Sequence, residues 1–464
     1  MPSALTSLSR AAALPAGQRH GMSTHSVRLM VYLVQALLDA AAVALGLVLA
    51  DMLAHGQLAR PDDAIGYWTV VPIFILVNFY ARSYSFEAMN SVGTAILRVA
   101  GALGVTLAIH LMLSFALKGS GDLSRLVFFG GAALSLILLV VVRLPIIWAV
   151  RNRLGARFMR RIIVMDGVPV DVPGGFERFD AADNGITPDV ANPIMLHNFS
   201  CLIHGADRVV VSCPPERRER WSLYLKATGV WGELLVPELH GIAPLHDEAH
   251  LGIVGIRVST GPLDLRNRLL KRLFDLAITV PAIVLLTPVL LVTALAIKLD
   301  SPGPILFRQR RMGRRNQLFD VYKFRSMRVD GTDHDGVRSA SRDDDRITRV
   351  GRFIRATSID ELPQLFNVLE GDMSLVGPRP HALGSLAGDR LFWHVDQRYW
   401  LRHAIKPGIT GLAQVRGFRG ATDHQDDLSN RLQSDLEYVA TWSLLNDLLI
   451  LARTALVLVH RNAY

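Results

Sequence analysis

Five long apolar runs limit what this chain can fold into. Four fall at about 29–50, 65–81, 99–117 and 126–142, and a fifth extends from Leu276 to Ile297. Each approaches the roughly 20 residues a helix needs to cross the hydrocarbon core of a bilayer. In lipid, backbone donors and acceptors must be satisfied within the segment, so such runs become helices. With half of its residues hydrophobic and a mean hydropathy of +0.28, the chain reads as a membrane protein with soluble parts attached. The first run is too long for a signal-peptide core and has no clear small-residue cleavage site, so it is expected to be a retained helix. Gly101, Gly104, Gly130 and Gly131 would allow close helix approach. Asp39 and His110 lie inside runs; they either mark a pathway or face a neighbouring helix, and neither is assigned a role.

Positive charge sets the expected orientation. Arg10, Arg19 and Arg28 precede the first run, and Arg143, Arg151, Arg153, Arg157, Arg160 and Arg161 follow the fourth. The loop between the first two runs sets Asp62 and Asp63 against Arg60. Both ends of a four-helix transmembrane bundle over 29–150 are therefore expected on the cytoplasmic side, with 1–28 as a cytoplasmic segment before it. The net charge of +9 suits an anionic membrane surface or a phosphate-rich substrate. No helix-turn-helix, zinc-finger or ribonucleoprotein pattern is present, which argues against nucleic acid as a partner. The two cysteines, Cys201 and Cys213, match no metal or redox spacing and read as a pair of buried free thiols.

The pattern changes near 160. Arg161–Asp166, Arg208–Ser212 and Leu234–Pro237 read as short buried strands, with a helix over 215–229. This alternation predicts a Rossmann-like α/β middle domain over 155–260. After the first strand, Asp166-Gly167-Val168 does not continue into the glycine fingerprint of a dinucleotide site, so the module is expected to serve packing or regulation.

The fifth run is flanked by Lys271 and Arg272 on one side and Lys298 on the other, and Pro281 and Pro288 interrupt it. Positive charge on both flanks is awkward for a crossing helix. A mid-run proline removes a backbone donor and bends a helix, and Thr287 can satisfy a freed carbonyl. The run reads either as a kinked span or as a re-entrant helix over 273–298 that bends near Thr287-Pro288.

Residues 305–440 carry the chemistry. Phe319–Met327 is strand-like and holds Lys323 and Arg325. The segment Asp345–Leu369 leads from a basic stretch ending at Arg355 into an amphipathic helix expected to open at Ser358-Ile359-Asp360-Glu361. Gly371-Asp-Met-Ser-Leu-Val-Gly-Pro-Arg-Pro380 and Lys406-Pro-Gly-Ile-Thr-Gly411 follow. Arg355, Arg379, Lys323 and Arg325 offer cationic donors for phosphate oxygens or form a solvated, lipid-facing surface. Of two adjacent carboxylates, one could attack phosphorus while the other holds a metal ion. On local pattern alone, helix capping explains them at least as well: Ser358-x-x-Glu361 matches a capping box, and Asp360 could itself cap a helix that takes Pro363 into its first turn.

Residues from about 270 to 460 closely resemble the bacterial sugar transferase domain of the polyisoprenyl-phosphate hexose-1-phosphate transferases. The resemblance is carried in order by Lys271-Arg272-Leu-Phe-Asp275, Tyr322-Lys-Phe-Arg-Ser-Met327, Thr348-Arg-Val-Gly351, Asp360-Glu361-Leu-Pro-Gln-Leu-Phe-Asn367, the Gly371–Pro380 segment and Lys406–Gln414. The membrane helices and α/β module before it look like the long members of that family. The resemblance implies a mixed α/β catalytic domain over 268–464 with a re-entrant helix, here broken at Thr287-Pro288 where the family usually has Ser-Pro. It implies that Asp360 is the nucleophile, that Glu361 holds Mg²⁺, and that Arg355 and Arg379 bind phosphates. Asp435 matches a further acidic position whose role stays open. The activity implied is transfer of a hexose-1-phosphate from a UDP-sugar to undecaprenyl phosphate through a phospho-aspartate, releasing UMP, at the bacterial inner membrane. Gly417–Asp423 resembles the undecaprenyl-phosphate glucose phosphotransferases, which favours glucose-1-phosphate over galactose-1-phosphate. The alternatives are a membrane glycosyltransferase releasing UDP and a non-enzymatic scaffold. The oligomeric state is open, a homodimer among the options.

Two patterns remain. Asp343-Asp-Asp345 with Asp333 and Asp335 reads as a solvated loop rather than a metal site. The apolar run Leu444–His460, broken by Asn446, Asp447 and Arg453, reads as an interfacial helix.

Overall fold

The computed structural model describes residues 24–56, 69–116, 124–170, 175–239, 255–263, 265–328, 344, 346–418, 420, 422 and 424–459. The chain divides into two compact units, Arg19–Arg160 and a larger one built from Arg161–Tyr464. The acidic residues Asp333, Asp335, Asp343 and Asp345 lie outside the described residues, as do Arg10, Arg19, Arg60, Asp62 and Asp63.

The first unit is helical: α1 (Thr24–His55), α2 (Val70–Tyr80), α3 (Phe86–Asn90), α4 (Val92–Ala116) and α5 (Arg125–Ala149). Ser26–His55, Val92–Ala116 and Arg125–Leu154 are long and apolar enough to cross a membrane, whereas α2, in the second predicted run, is described over 11 residues only. Close approach occurs at glycines other than Gly101 and Gly104, which have nothing near their Cβ positions. A Cβ on Gly46 would meet the backbone of Ser135, and one on Gly131 would stand 2.8 Å from Leu47. Arg143 is not a flanking charge as expected. It lies within α5, 2 % exposed, and donates to Asp39 at 2.5 Å. Asp39 also accepts from Gln35, Asn78 and Tyr84. A charge buried in such a bundle persists only when paired in this way.

The second unit opens with a five-stranded sheet in the order β2-β1-β3-β4-β5. The strands β1 (Arg161–Met165), β2 (Phe176–Asp180), β3 (Arg208–Ser212) and β4 (Trp231–Leu235) are parallel, and β5 (Gly255–Ser259) runs antiparallel to β4. The helices α6 (Pro193–Leu202) and α7 (Arg218–Thr228) make the crossovers. Near-continuous burial of β1 and β3 is what a parallel strand covered on both faces requires. Asp166, at the carboxyl end of β1, accepts from Arg217 at 2.6 Å and from the Trp221 indole at 2.8 Å.

The long helix α8 (Leu265–Asp300) follows, continuous through Pro281 and Pro288. Thr287 donates to the carbonyl of Ile283, not to that of Val284, which Pro288 leaves without its usual donor. One face of α8 is exposed and apolar, including Val284, Leu285, Leu291, Val292, Leu295 and Leu299. The other face packs on the residues that follow. Ile283 and Leu286 join the cluster of Leu365, Val368, Met373 and Ile405. Leu290 and Ile297 join Phe324 and Ile354.

The elements that follow include the hairpin β6 (Leu306–Met312) and β7 (Leu318–Phe324), α9 (Arg349–Ala356), α10 (Gln364–Glu370), the parallel pair β8 (Ser374–Val376) and β9 (Gly408–Thr410), α11 (Gln425–Ala440) and α12 (Leu444–Val459). The segments read as separate domains, 155–260 and 268–464, share one core. Ile162, Val209, Trp221 and Leu225 pack in one cluster with Met312, Trp393, Trp400 and Leu432. Asn316 donates to the Ala227 carbonyl at 2.9 Å and Trp400 to that of Val190 at 2.9 Å.

Candidate active site

The Asp360-Glu361 pair does not open a helix. Thr348 caps α9 by accepting from Gly351 N at 2.9 Å, and Val350 N donates to Asp300 Oδ2 at 3.1 Å, so the start of α9 is held at the end of α8. The chain then turns through Ser358, at φ +56°, into a single 3₁₀ turn, Ile359–Glu361. Pro363, which has no N–H to continue the ladder, occupies the cap position of α10. The Ser358 side chain makes no capping hydrogen bond, and Asp360 stands three residues before the Pro363 cap. Neither capping arrangement considered from the sequence is formed.

Glu361 is instead clamped. Its Oε1 accepts from Lys323 Nζ at 2.9 Å and from Arg379 Nη2 at 2.5 Å, and its Oε2 from Arg379 Nη1 at 3.2 Å. These two cations hold the Glu361 carboxyl well below the usual carboxylate range, although burial acts against them. Asp360 differs: no hydrogen bond engages its carboxylate among the described residues. Burial pushes it up from the ordinary aspartate value, and the charges of Lys323, Arg355 and Arg379 oppose that rise.

Each side of the clamp is fixed by its own segment. Asn367 of α10 accepts from Tyr322 N at 2.9 Å and donates to the Asp320 carbonyl at 2.7 Å, which sets β7, and hence Lys323, against the 3₁₀ turn. Its backbone carbonyl receives the N–H groups of Gly371, Asp372 and Met373, with Gly371 at φ +101°. Arg379 lies in Gly377-Pro-Arg-Pro380, held beside the Lys406–Gly411 segment. Gly377 N donates to the Thr410 carbonyl and Gly408 N to that of Pro378. A Cβ on Gly377 would collide with the Lys406 carbonyl and one on Gly411 with that of Gly377, so the two motifs are glycine-rich because their backbones touch. Arg402 Nη2 donates to the Arg379 carbonyl at 2.7 Å, and Arg402 is in turn held by Asp435 Oδ2 at 2.9 and 2.7 Å.

Lys323, Arg379 and Asp435 line an open cleft with about 890 Å³ of empty space, part of it solvent. Arg311, His381, Arg431 and Gln364 line it too, and none of these stood out in the sequence. Burial and the adjacent Arg379 push the Arg311 guanidinium down to about 10. Burial, reinforced by Arg402 and Arg431, keeps His381 neutral. The His381 imidazole directly follows the Gly377–Pro380 turn, a position that could have flagged it. Arg402 and Arg431 carried no local signal, because their partners are brought together from distant segments. Phe418, Gly420 and Thr422 form another wall, with Arg431 donating to the carbonyls of Phe418 and Gly420. A cleft with this excess of fixed cations suits a diphosphate.

Arg325 does not join this group. It falls past the end of β7, is 5 % exposed, and donates to the carbonyls of Pro302 and Ser301 and to the Ser301 hydroxyl. Its donors brace the turn after α8, which corrects its expected role at the substrate. Arg355, in the last turn of α9, contributes its charge near Asp360. Among the described residues no group of three or more His, Cys, Asp or Glu side chains is placed to hold a metal. Mg²⁺ commonly takes one or two carboxylates and fills its remaining positions with substrate phosphate and water, so the side chains here that could hold it are Glu361 and the adjacent Asp360.

Residues 266–461 match the bacterial sugar transferase family. The chain is 52% identical over 193 residues to an undecaprenyl-phosphate glucose phosphotransferase of Komagataeibacter xylinus, covering 42% of this chain and 36% of that protein. It is 51% identical over 185 residues to the exopolysaccharide production protein PSS of Rhizobium leguminosarum bv. phaseoli, covering 40% of this chain and 92% of that one. It is 44% identical over 234 residues to a UDP-glucose:undecaprenyl-phosphate glucose-1-phosphate transferase of Escherichia coli K12, covering half of each. The chain belongs to the bacterial sugar transferase family. The match spans only 36% and 50% of the first and third of these relatives, and these three matches cover half of this chain or less.

Proposed function

We propose that this protein transfers a hexose-1-phosphate, glucose-1-phosphate by preference, from a UDP-sugar to undecaprenyl phosphate and releases UMP. It would thereby begin a repeat unit of exopolysaccharide or capsule at the cytoplasmic face of the bacterial inner membrane. The carrying observation is the division of labour within the acidic pair. Glu361 is held by Lys323 and Arg379, chiefly through Oε1, whereas the half-buried Asp360 carboxylate stands among the same cations without a hydrogen-bond partner among the described residues. Such a group is placed for nucleophilic attack.

In the first step an Asp360 oxygen forms a bond to the phosphorus carrying the hexose, and the bridging P–O bond to UMP breaks. The leaving UMP oxygen takes the electron pair. In the second step a phosphate oxygen of the polyprenyl phosphate attacks the same phosphorus and returns Asp360 as a carboxylate. Lys323, Arg379 and Arg355 hold the phosphates and offset the charge that builds on the transferring group. Glu361 would hold Mg²⁺, which would neutralise diphosphate charge when bound. The wall formed by Phe418, Gly420 and Thr422 would face the nucleotide sugar.

A re-entrant course for α8 is supported by its packing. Its first turns, its middle and its last turns all touch the same unit: Asp275 accepts from Ser374 Oγ at 2.9 Å, Ile283 and Leu286 join one cluster, and Asp300 holds Val350 N. The helix is long and apolar enough to cross a membrane, and these contacts along its length are what favour a return to the cytoplasmic face. The exposed apolar face then meets lipid, and the cleft stays at the depth of the lipid phosphate.

Membranes containing the full chain are incubated with UDP-glucose, Mg²⁺ and undecaprenyl phosphate, and the released nucleotide is identified. UMP is expected. UDP would establish a glycosyltransferase instead, and neither nucleotide, across several UDP-sugars, would establish a scaffold. Asp360→Asn is expected to abolish turnover, and wild-type rates in that variant would refute the nucleophile assignment.

A further inference from the structure

A second cavity, which shares no lining residue with the cleft, opens between the α/β sheet segment, the first turns of α8 and the Ala404–Lys406 loop. It has about 560 Å³ of empty space, part of it solvent. Its cationic lining is Arg268, Lys271, Arg272, Arg314 and Lys406, and among the described residues its only acidic lining residue is Asp275. Lys271 is already neutralised by Asp447 at 2.6 Å, and Asp275 is engaged by Ser374 Oγ and Leu375 N. Arg272 donates to the carbonyls of Val368 and Leu369, which fix it without reducing its charge. The side chains of Arg314 and Lys406 make no hydrogen bond or ion pair with the described residues. Asp372 is the other carboxylate whose field reaches Lys406. Backbone packing walls the cavity on the sheet side: Gly229, at φ +57°, lies so close to Ala404 that a Cβ would stand 3.0 Å from its carbonyl.

We infer that this cavity is a phosphate-binding site, separate from the cleft, that takes a phosphomonoester or diphosphate group between Arg314, Lys406, Arg272 and Arg268. Clustered cations in a sparsely solvated space repel one another and lose hydration, and a multiply charged anion relieves both effects. The same strain shows in the side chains themselves: burial and the adjacent Arg272 and Arg314 push Lys406 down to about 8, and burial with Arg315 and Arg268 pushes Arg314 down to about 9. Arg268 and Arg272 belong to the first turns of the helix whose next turns are exposed and apolar. The phosphate can therefore come from a lipid headgroup or from a soluble phosphate ester. Either occupant would tie the α/β segment to the catalytic residues, since Asp275 at the cavity wall holds the strand that leads into Gly377-Pro-Arg379.

The test uses the full chain in phosphatidylcholine nanodiscs, with inorganic pyrophosphate titrated at constant ionic strength and the apparent melting temperature as readout. Wild type is compared with Arg314→Gln, Lys406→Gln, the charge-preserving Arg314→Lys and the cleft variant Lys323→Gln. A saturable rise is expected in wild type, Lys323→Gln and Arg314→Lys, with affinity about tenfold weaker in Arg314→Gln and Lys406→Gln. A second arm replaces phosphatidylcholine with phosphatidylglycerol and omits pyrophosphate. A rise in this arm that the Gln variants lose identifies a lipid headgroup as the source; a rise confined to the pyrophosphate arm identifies a soluble phosphate. No rise in either arm, a rise that both Gln variants retain in full, or one that only Lys323→Gln abolishes overturns the proposal.

Discussion

Asp435 is expected to act through Arg402, and the cost of removing it follows from burial. The Arg402 side chain is 1% exposed and that of Asp435 is 3%. Asp435→Ala leaves a guanidinium buried without its counter-charge, a loss of about 3–5 kcal/mol. Asp435→Asn keeps an acceptor at the same place. The two bonds then fall from about 1.5–3 kcal/mol each to about 0.5–1.5, a total loss of about 2–3 kcal/mol. The double variant Arg402→Met/Asp435→Leu removes both charges and keeps the volume, and it should be closer to wild type than Asp435→Ala alone. Thermal unfolding of the full chain in detergent reads this out: at roughly 2–4 °C per kcal/mol, Asp435→Ala should melt about 6–20 °C lower. Turnover should fall in all three variants by more than the folded fraction does, because Arg402 also holds the Arg379 carbonyl. A melting temperature within about 2 °C of wild type for Asp435→Ala, or a double variant destabilised by the sum of its singles, would refute the reasoning.

Other consequences are open to direct measurement. Burial raises Asp360 and the Lys323 charge is the largest force opposing the rise, so Lys323→Gln should move the acid limb of the kcat/KM–pH profile upward; an unmoved limb would separate Lys323 from Asp360. Glu361 is depressed in the folded state, so its stabilising contribution is present above its unfolded value of 4.5 and is lost as pH falls below it. Glu361→Gln should accordingly flatten the dependence of melting temperature on pH below about 4.5. Arg325→Ala should lower thermal stability by about 1–3 kcal/mol through the unsatisfied carbonyls of Ser301 and Pro302, while KM for the UDP-sugar stays at the wild-type value in the folded fraction. Asp39→Ala should lower the yield of folded protein in the membrane, with recovery in Asp39→Ala/Arg143→Leu, because the single change leaves Arg143 unpaired in the bundle.

Much of the architecture was legible because it rests on local pattern. The apolar runs gave α1, α4, α5 and α8, and buried apolar stretches gave β1, β3 and β4. The strand β2, Phe-Glu-Arg-Phe-Asp over 176–180, escaped because an edge strand needs no apolar run. Arg143 was misplaced for a related reason: as a lone charge at the end of an apolar run it resembles a flank, and only Asp39 across the bundle makes its burial affordable. In the site, the residue types in order pointed to Asp360, Glu361, Lys323 and Arg379, which the fold brings together. Arg325 was drawn into the same group by proximity in sequence, although the strand ends before it.

The sequence by itself determined that this chain has long apolar helices fit to cross a membrane, an α/β part, and an acidic pair among cations. Those properties belong to segments of a few to some twenty residues. Only the tertiary structure decided which carboxylate is held and which is left open. That choice depends on a strand at 318–324, a turn at 377–380 and a buried pair at 402 and 435, segments that meet only when the chain has folded. It likewise decided that the α/β segment shares one core with Met312, Trp393, Trp400 and Leu432 from the second half of the chain. Side-chain burial between residues so far apart in the chain is a property of packing, and no local pattern encodes it.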